Sequence, residues 1–500
     1  MAKKLKLHIL GIAGTFMAGI ATLAKELGYE VTGSDLHCYP PMSTYLEKLG
    51  IKVFEGFDDL TVLDGVDEII IGNVMRRGMP VIEHMLEKKM KLVSGPAWLS
   101  ENILSNRWVL CVTGTHGKTT TSSMLSFILE KAGLSPGFLI GGIPNDFGVS
   151  ARLGGKEISH SGHSGHSSHD HCHDFFVIEG DEYDTSFFDK RSKFVHFKPD
   201  SLIINNLEFD HADIFDDLKM IQKQFHHLLK ILPKGPRGKL IYPVGHESIA
   251  EVIQWGCYSN QEIFSVGNMG EIDNKNIDWV GVLKKSSGAE FEVFFKQKKI
   301  GLVQWSLLGE HNIHNALAAL SAAHHIGIDS NIAISALSEF SGVKKRLELK
   351  GIENKISVYD DFAHHPTAIK TTVEGLKEKI SELKKDKNNS AIGKLIAVFE
   401  PRSNTLKKGQ GKEALLEALG CADEVYLYQS GQVKWNIAEQ IDLLGLNKDK
   451  NNNKKFYVFL EIEALVKKLK LNTQPGDHIL VMSNGAFENI HEKILDILKN

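Results

Sequence analysis

An α/β protein made of three parallel-sheet units in series is the fold this sequence predicts, and three observations predict it. The first is length: 500 residues exceed what one hydrophobic core supports, and roughly 150 residues per domain gives about three domains. The second is pattern, because short apolar runs alternate with amphipathic stretches along the chain, as strands and crossover helices do. The third is composition: 42% apolar and 24% charged residues suit an ordinary globular chain.

Taken in order, Leu5 to Leu10 reads as a strand and "GIAGT" as a turn. Met17, Ile20, Leu23, Ala24 and Leu27 then form the stripe of a helix that Gly28 ends. "EVTGSD" is a second strand, the residues around Tyr45 to Leu49 a helix, and "DEIIIGN" a further strand. The basic-then-apolar opening resembles a secretory leader, but the strand–turn–helix reading accounts for more of its residues. A second unit opens at Trp108 with "WVLCVTG" and continues through "FFVIEG" and "SLIINN". A third follows the polar "SGVKKRLELKG" with "ISVYDD", "KLIAVFEP", "DEVYLY", "KFYVFL" and "HILVMSN". The expected domains are residues 1–107, 108–342 and 343–500.

A net charge of −4 argues against nucleic acid as the main partner, and no apolar run has the length of a membrane span. Cys38, Cys111, Cys172, Cys257 and Cys421 form no CxxC pair, which suits reduced thiols and a cytoplasmic location. Two polar runs, "KKDKNNS" and "NKDKNNNKK", read as surface loops of the third unit. Residues 160–173 hold six of the 23 histidines in a Gly/Ser background, read as a tolerated loop insertion with a metal role as the alternative.

"TGTHGKTT" follows a strand and precedes a helix with Leu125, Ile128 and Leu129 on its buried face, the context of a phosphate loop. Gly114, Thr115, His116, Gly117, Lys118, Thr119 and Thr120 are therefore expected to hold phosphate. Lys118 would reach the outer phosphates, and Thr119 would offer its hydroxyl to Mg²⁺. The spacing departs from the general motif, since Gly114 stands only three residues before Gly117. Glu179 in "VIEGDEYD" and Asp210 and His211 in "IINNLEFDH" lie just past strands, where the functional loops of an open parallel sheet gather, so a shared Mg²⁺ site is expected. Asn312 and Asn315 head an Ala-rich helix and compete with a plain capping role. Asp360 and Asp361 end a strand before His364 and His365, a group suited to nucleotide or amine handling. In "GIAGTF", Gly11 and Gly14 fail the G-x-G-x-x-G spacing, which disfavours a nicotinamide oxidoreductase. The turn still suits a pyrophosphate, and Asp35 could accept a ribose hydroxyl.

Together "GTHGKTTT", "EGDEYD", "NNLEFDH", "GEHNIHNALAA", "GVKKRLE", "YDDFAHHP" and "GDHILVMSNGAF" resemble, in order and over the whole chain, the Mur ligase family, which builds the peptide stem of peptidoglycan. "GTFMAG", "SDLHCYPPMSTYLE", "NVMRRGMPVIE" and "SFFDKRSKFVHFKPDSLIINNLEFDHADIF" resemble the branch that recycles cell-wall peptides. That branch joins L-alanyl-γ-D-glutamyl-meso-diaminopimelate to UDP-N-acetylmuramate. The resemblance implies a Rossmann-like UDP-sugar domain using Gly11, Gly14, Thr15 and Asp35, a central P-loop ATPase-like domain, and a Rossmann-like C-terminal domain that brings the peptide. It implies Lys118, Glu179 and His211 as catalytic residues, Thr119, Glu179 and His211 as Mg²⁺ ligands, the phosphate loop 114–120 as the ATP-binding loop, and His311, Asn312, Asn315, Arg346 and Asp361 around ATP. Arg402 and Asn404 are peptide-binding candidates from their place after a strand. Several relatives carry a carbamylated lysine some fifteen residues beyond the DH pair; Gln224 or Phe225 stands there, and none is expected. The expected partners are small-molecule substrates, with neither nucleic acid nor membrane, for a monomer or weak dimer. The alternatives are a UDP-N-acetylmuramate:L-alanine ligase of the same family and a nucleotide-dependent switch.

Overall fold

The structure is a computed structural model and describes residues 4–38, 42–155, 174–212, 214–267, 276–385, 393–447 and 455–499. The histidine tract at 160–173, including Cys172, lies outside the described residues, as do most of the two polar runs of the third unit. Cys38, Cys111, Cys257 and Cys421 are free thiols.

Three large sheets carry the chain. The first joins β1 (Lys6–Leu10), β2 (Glu30–Asp35), β3 (Lys52–Glu55), β4 (Glu68–Ile71) and β5 (Val93–Ser94), all parallel, in the order β3-β2-β1-β4-β5. The order reverses beside β1, so the crevice beyond its carboxyl end is the switch point where such sheets bind ligands. Gly11 turns the chain there at φ 80° and leads into the helix Thr15–Glu26. Met17, Ile20, Leu23 and Ala24 pack that helix on the sheet; Leu27 falls outside it and is 39% exposed.

The central sheet is built from β6 (Trp108–Thr113), β7 (Gly137–Leu139), β8 (Ala151–Arg152), β9 (Phe175–Glu179), β12 (Ser201–Ile204), β13 (Gly235–Pro243), β14 (Ser259–Val266), β15 (Trp279–Leu283), β16 (Glu290–Phe295) and β17 (Lys298–Gln304). Its order is β17-β16-β15-β14-β13-β12-β6-β9-β7-β8, and β10 (Asp184–Ser186) with β11 (Asp189–Ser192) forms a separate hairpin. Neighbours from β15 to β7 are parallel, whereas β8 pairs antiparallel with β7, β16 with β15 and β17 with β16. This antiparallel arm departs from the all-parallel reading; Glu290–Phe295 alternates buried and half-buried residues, as a one-faced strand does. The helix Lys118–Lys131 is buried on every side from Thr119 to Leu129, not on one stripe, because the sheet lies beneath it and the helices Glu310–His325 and Ser330–Glu339 lie over it. Thr121, Ser122, Ser123 and Ser126 are small enough to permit that approach.

The third sheet has the order β18-β19-β23-β20-β21-β22, from β18 (Glu348–Glu353), β19 (Ile356–Asp361), β20 (Leu395–Phe399), β21 (Glu424–Tyr428), β22 (Lys455–Phe459) and β23 (His478–Met482). Only β18 is antiparallel, so part of the polar stretch before "ISVYDD" is an edge strand. One apolar cluster runs unbroken from Leu7 and Ile20 into Phe194, Phe225 and Leu240, fixing the first sheet on the central one. The third sheet's helix Pro366–Lys385 is tied across by Glu382, which accepts from the Ser287 N–H at 2.9 Å and hydroxyl at 2.7 Å. Among the described residues no helix is long and apolar enough to cross a membrane.

Candidate active site

The loop from Gly114 to Gly117 leaves the end of β6, between β12 on one side and β9 on the other. Gly117 adopts φ 79°, and a Cβ there would stand 2.9 Å from Asn205 Nδ2 and closer still to Asn315 Oδ1, so only glycine fits. Asn206 clamps the loop: its Oδ1 accepts from the His116 N–H at 2.8 Å and its Nδ2 donates to the His116 carbonyl at 3.3 Å. The Thr115 hydroxyl accepts from the Glu208 N–H at 2.9 Å. No side chain caps the helix that starts at Lys118, so its first N–H groups and dipole are available to an anion.

Around this helix start the charges interlock. Lys118 Nζ donates to the Gly114 carbonyl at 2.6 Å and to Glu182 Oε2 at 3.1 Å. Glu182 Oε1 lies 2.7 Å from His211 Nε2. Burial pulls the Lys118 ammonium toward deprotonation, but Glu182, Asp181 and Glu179 outweigh it and raise its pKa above the usual lysine range. Burial likewise opposes protonation of His211, and Glu182 and Asp210 reverse that, holding its pKa above the usual histidine value. Asp181 is paired to Lys193 at 2.7 Å. Glu179 accepts from the Thr119 hydroxyl at 3.1 Å and the Gly141 N–H at 2.7 Å, and its burial raises its pKa. Arg346 Nη2 donates to Thr119 Oγ1 at 3.4 Å while the guanidinium lies 5.1 Å from the Phe362 ring centre. Thr119 and Glu179 thus present the hard oxygen donors that Mg²⁺ takes.

The flanking candidates divide into two groups. Asn205 Nδ2 donates to Thr121 Oγ1 at 2.9 Å, Thr121 to Asn315 Oδ1 at 3.1 Å, and Asn315 to Asn312 Oδ1 at 3.3 Å, a chain that locks the Ala-rich helix to the phosphate helix. His311 is half-buried and neutral, its pKa lowered to about 4 by desolvation. Asp361 accepts from the Leu347 and Ala363 N–H groups, both at 2.7 Å, and so holds the connector that carries Arg346. Thr120 is buried on the phosphate helix. Thr405 donates to Asp210 at 3.1 Å and Lys408 to the Ala212 carbonyl at 3.3 Å, which brings the Arg402–Asn404 turn beside the His211 loop. Arg402 itself is 46% exposed, 3.7 Å from Glu400.

In the first domain Gly14 and Thr15 are exposed at the helix start, and Asp35 Oδ2 accepts from the Ala13 N–H at 2.8 Å. Asp35 therefore braces the turn, and it also lines a cavity of about 700 Å³ with His37, Cys38, Lys52 and Glu55. Phe16 stacks on Phe197 with ring centres 6.4 Å apart, and Lys193 Nζ lies 5.7 Å over the Phe16 ring, so the turn reaches the Asp181 loop.

The structure brings Lys118, Thr119, Glu179, His211 and Arg346 into one cluster at the phosphate loop and sets Gly11, Gly14, Thr15 and Asp35 on the neighbouring domain. Sequence reasoning missed Glu182, Asn205 and Asn206. All three stand in the acidic and Asn-rich stretches already singled out, but nothing in the spacing says which side chain meets Lys118 or the loop.

Comparison with known proteins agrees in order and extent. Residues 6–107 match the Mur ligase family, catalytic domain; 112–323 the Mur ligase middle domain; and 345–485 the Mur ligase, glutamate ligase domain. The chain is 47% identical, over 98% of both lengths, to the UDP-N-acetylmuramate–L-alanyl-γ-D-glutamyl-meso-2,6-diaminoheptandioate ligase of Escherichia coli K12. It is 29% identical, over 98% of its own length and 96% of the other, to the UDP-N-acetylmuramate–L-alanine ligase of Dictyoglomus turgidum. A solved murein peptide ligase from Psychrobacter arcticus superposes with a TM-score of 0.70 at 42% identity, covering 99% of each chain. The chain belongs to the Mur ligase family.

Proposed function

We propose that this protein is an ATP-dependent ligase that joins L-alanyl-γ-D-glutamyl-meso-diaminopimelate to UDP-N-acetylmuramate, returning recovered cell-wall peptide to peptidoglycan synthesis. One observation carries the choice of amine: full-length identity is 47% to a ligase named for that tripeptide and 29% to one named for L-alanine.

The chemistry follows from the cleft. The γ-phosphoryl group of ATP moves to the lactyl carboxylate, two anions that repel unless cations stand between them. Lys118 supplies one such charge, already desolvated and held in place by Glu182. Mg²⁺ held by Thr119 and Glu179 would neutralise phosphate charge in the same way, with His211 as a further ligand. Arg346 reaches Thr119 from the connector to the third domain, so it reports closure to the phosphate site. The acyl phosphate then accepts the α-amine of the tripeptide's alanine; a C–N bond forms, the C–O bond to phosphate breaks and inorganic phosphate leaves. Closure of the third domain aligns amine and acyl group and excludes water. Asp35 and the Gly11–Thr15 turn hold the UDP-sugar, and the Arg402–Asn404 turn meets the peptide. One chain supplies every residue of this scheme, which suits a monomer or weak dimer, and the substrates place the reaction in the cytoplasm.

The test is to mix protein, ATP, Mg²⁺ and UDP-N-acetylmuramate with either L-alanine or the tripeptide. ADP release that depends on the tripeptide, with a product of the summed mass, is the expected result. Release with alanine alone transfers the protein to the alanine-adding activity, and hydrolysis indifferent to both amines overturns the ligase reading.

A further inference from the structure

Among the described residues one group of three metal-ligating side chains has its donor atoms all within 4.8 Å of one another, and it is not the phosphate site: His116, Glu208 and His365. His116 comes from the phosphate loop, Glu208 from the segment after β12, and His365 from the turn that starts the third domain's helix Pro366–Lys385. Glu208 Oε2 lies 3.6 Å from His116 Nε2 and 3.5 Å from His365 Nδ1. These distances are too long for hydrogen bonds. They match the edge of a tetrahedron around an ion with bonds of roughly 2.0–2.2 Å, which is roughly 3.3–3.6 Å.

The hydrogen-bond bookkeeping points the same way. His116 Nε2 is buried with no hydrogen-bond partner. His365 Nδ1 has only a long contact, 3.4 Å from the Thr367 N–H, which marks it as the unprotonated ring nitrogen; an ion there would take that lone pair in place of the N–H. The Thr367 hydroxyl donates to Glu208 Oε2 at 2.7 Å and orients it, as outer partners of metal-binding carboxylates do. Burial lowers the His365 pKa to about 4, so that imidazole is in the ligating form at neutral pH.

We propose that His116, Glu208 and His365 form a binding site for a borderline divalent transition cation of the zinc class, distinct from the Mg²⁺ expected at Thr119 and Glu179. Two imidazoles and one carboxylate leave a fourth position open and favour Zn²⁺ or Co²⁺ over Mg²⁺, which takes oxygen donors. Because the ligands come from the phosphate loop and the third domain, the ion pins that domain against the loop, and metal binding and closure are linked.

The experiment uses the full chain with the histidines of 160–173 replaced by serine, which removes the competing tract. Zn²⁺ is titrated calorimetrically in excess Mg²⁺, and Co²⁺ binding is followed by visible absorption. One ion per chain with the intense absorption of four-coordinate cobalt is expected, weakened at least about tenfold in His365→Ala and in the near-isosteric Glu208→Gln. Circular dichroism and melting verify that each variant is folded. Should either substitution perturb the fold, the cobalt spectrum of the tract-substituted chain decides by itself. No binding, weak six-coordinate absorption, or affinity unchanged in both variants overturns the site. The readout is metal binding, so it stands or falls separately from the ligase assay.

Discussion

Lys118 and Glu182 meet as a buried ion pair, Nζ 3.1 Å from Oε2, with side chains 14% and 3% exposed. A glutamate this deep, also 2.7 Å from His211 Nε2, holds both side chains beside the phosphate loop. Glu182→Gln preserves the shape and removes the charge. Hydrogen bonds to charged groups contribute about 1.5–3 kcal/mol, so kcat should fall about tenfold to a hundredfold with little change in KM for the UDP-sugar. Initial rates of ADP release measure this, and an unchanged kcat would reduce Glu182 to a packing partner.

Lys118→Ala is expected to abolish turnover while leaving UDP-N-acetylmuramate binding intact, because the sugar site is assigned to the first domain. Calorimetric titration of the UDP-sugar checks the second half. Its loss would contradict the division of labour between domains.

Gly117→Ala combines a left-handed backbone, φ 79°, with a collision against Asn205 and Asn315. Gly133 shares the backbone conformation at φ 76° but has nothing within 4 Å of an added Cβ. Gly133→Ala should cost about 1–2 kcal/mol by denaturant unfolding and leave ATP affinity unaltered. Gly117→Ala should cost more and weaken ATP binding at least about tenfold, because the loop must shift. Equal effects of the two would mean that strain alone, not close approach, sets the loop.

His8 is fully buried in β1, with Nδ1 2.8 Å from Thr32 Oγ1 and Nε2 2.9 Å from Ser34 Oγ. Burial lowers its pKa from 6.5 to about 4, so between those values the unfolded chain binds the extra proton. The stability it contributes is complete above pH 6.5 and is lost as pH falls to about 4. The loss is on the order of 3 kcal/mol at about 1.4 kcal/mol per pH unit. His8→Gln should flatten that acid limb in urea unfolding followed across pH; an unaltered slope would show that His8 does not drive it.

The strands were legible because apolar runs such as "WVLCVT", "LIAVF" and "HILVM" have no other stable use in a chain of this composition, and the phosphate loop was legible because Gly-Lys-Thr-Thr after a strand is a local signal. The direction of the arm β15–β17 was not, since it depends on which neighbour the chain finds and not on the residues of any one strand.

By itself the sequence determined the three α/β units, the anion-binding loop, and the acidic and Asn-rich segments after β9 and β12. It left open which carboxylate in "EGDEYD" faces Lys118. The sheet order decides that: β6 lies between β12 and β9, so three loops distant in sequence end on one edge. There Glu179 turns to Thr119, and Glu182 turns to Lys118 and His211. The meeting of His116, Glu208 and His365 is decided the same way, by the third domain resting on the second. Local propensity acts over a few residues, whereas partners separated by tens to hundreds of positions are chosen only by packing, which no short stretch of chain contains.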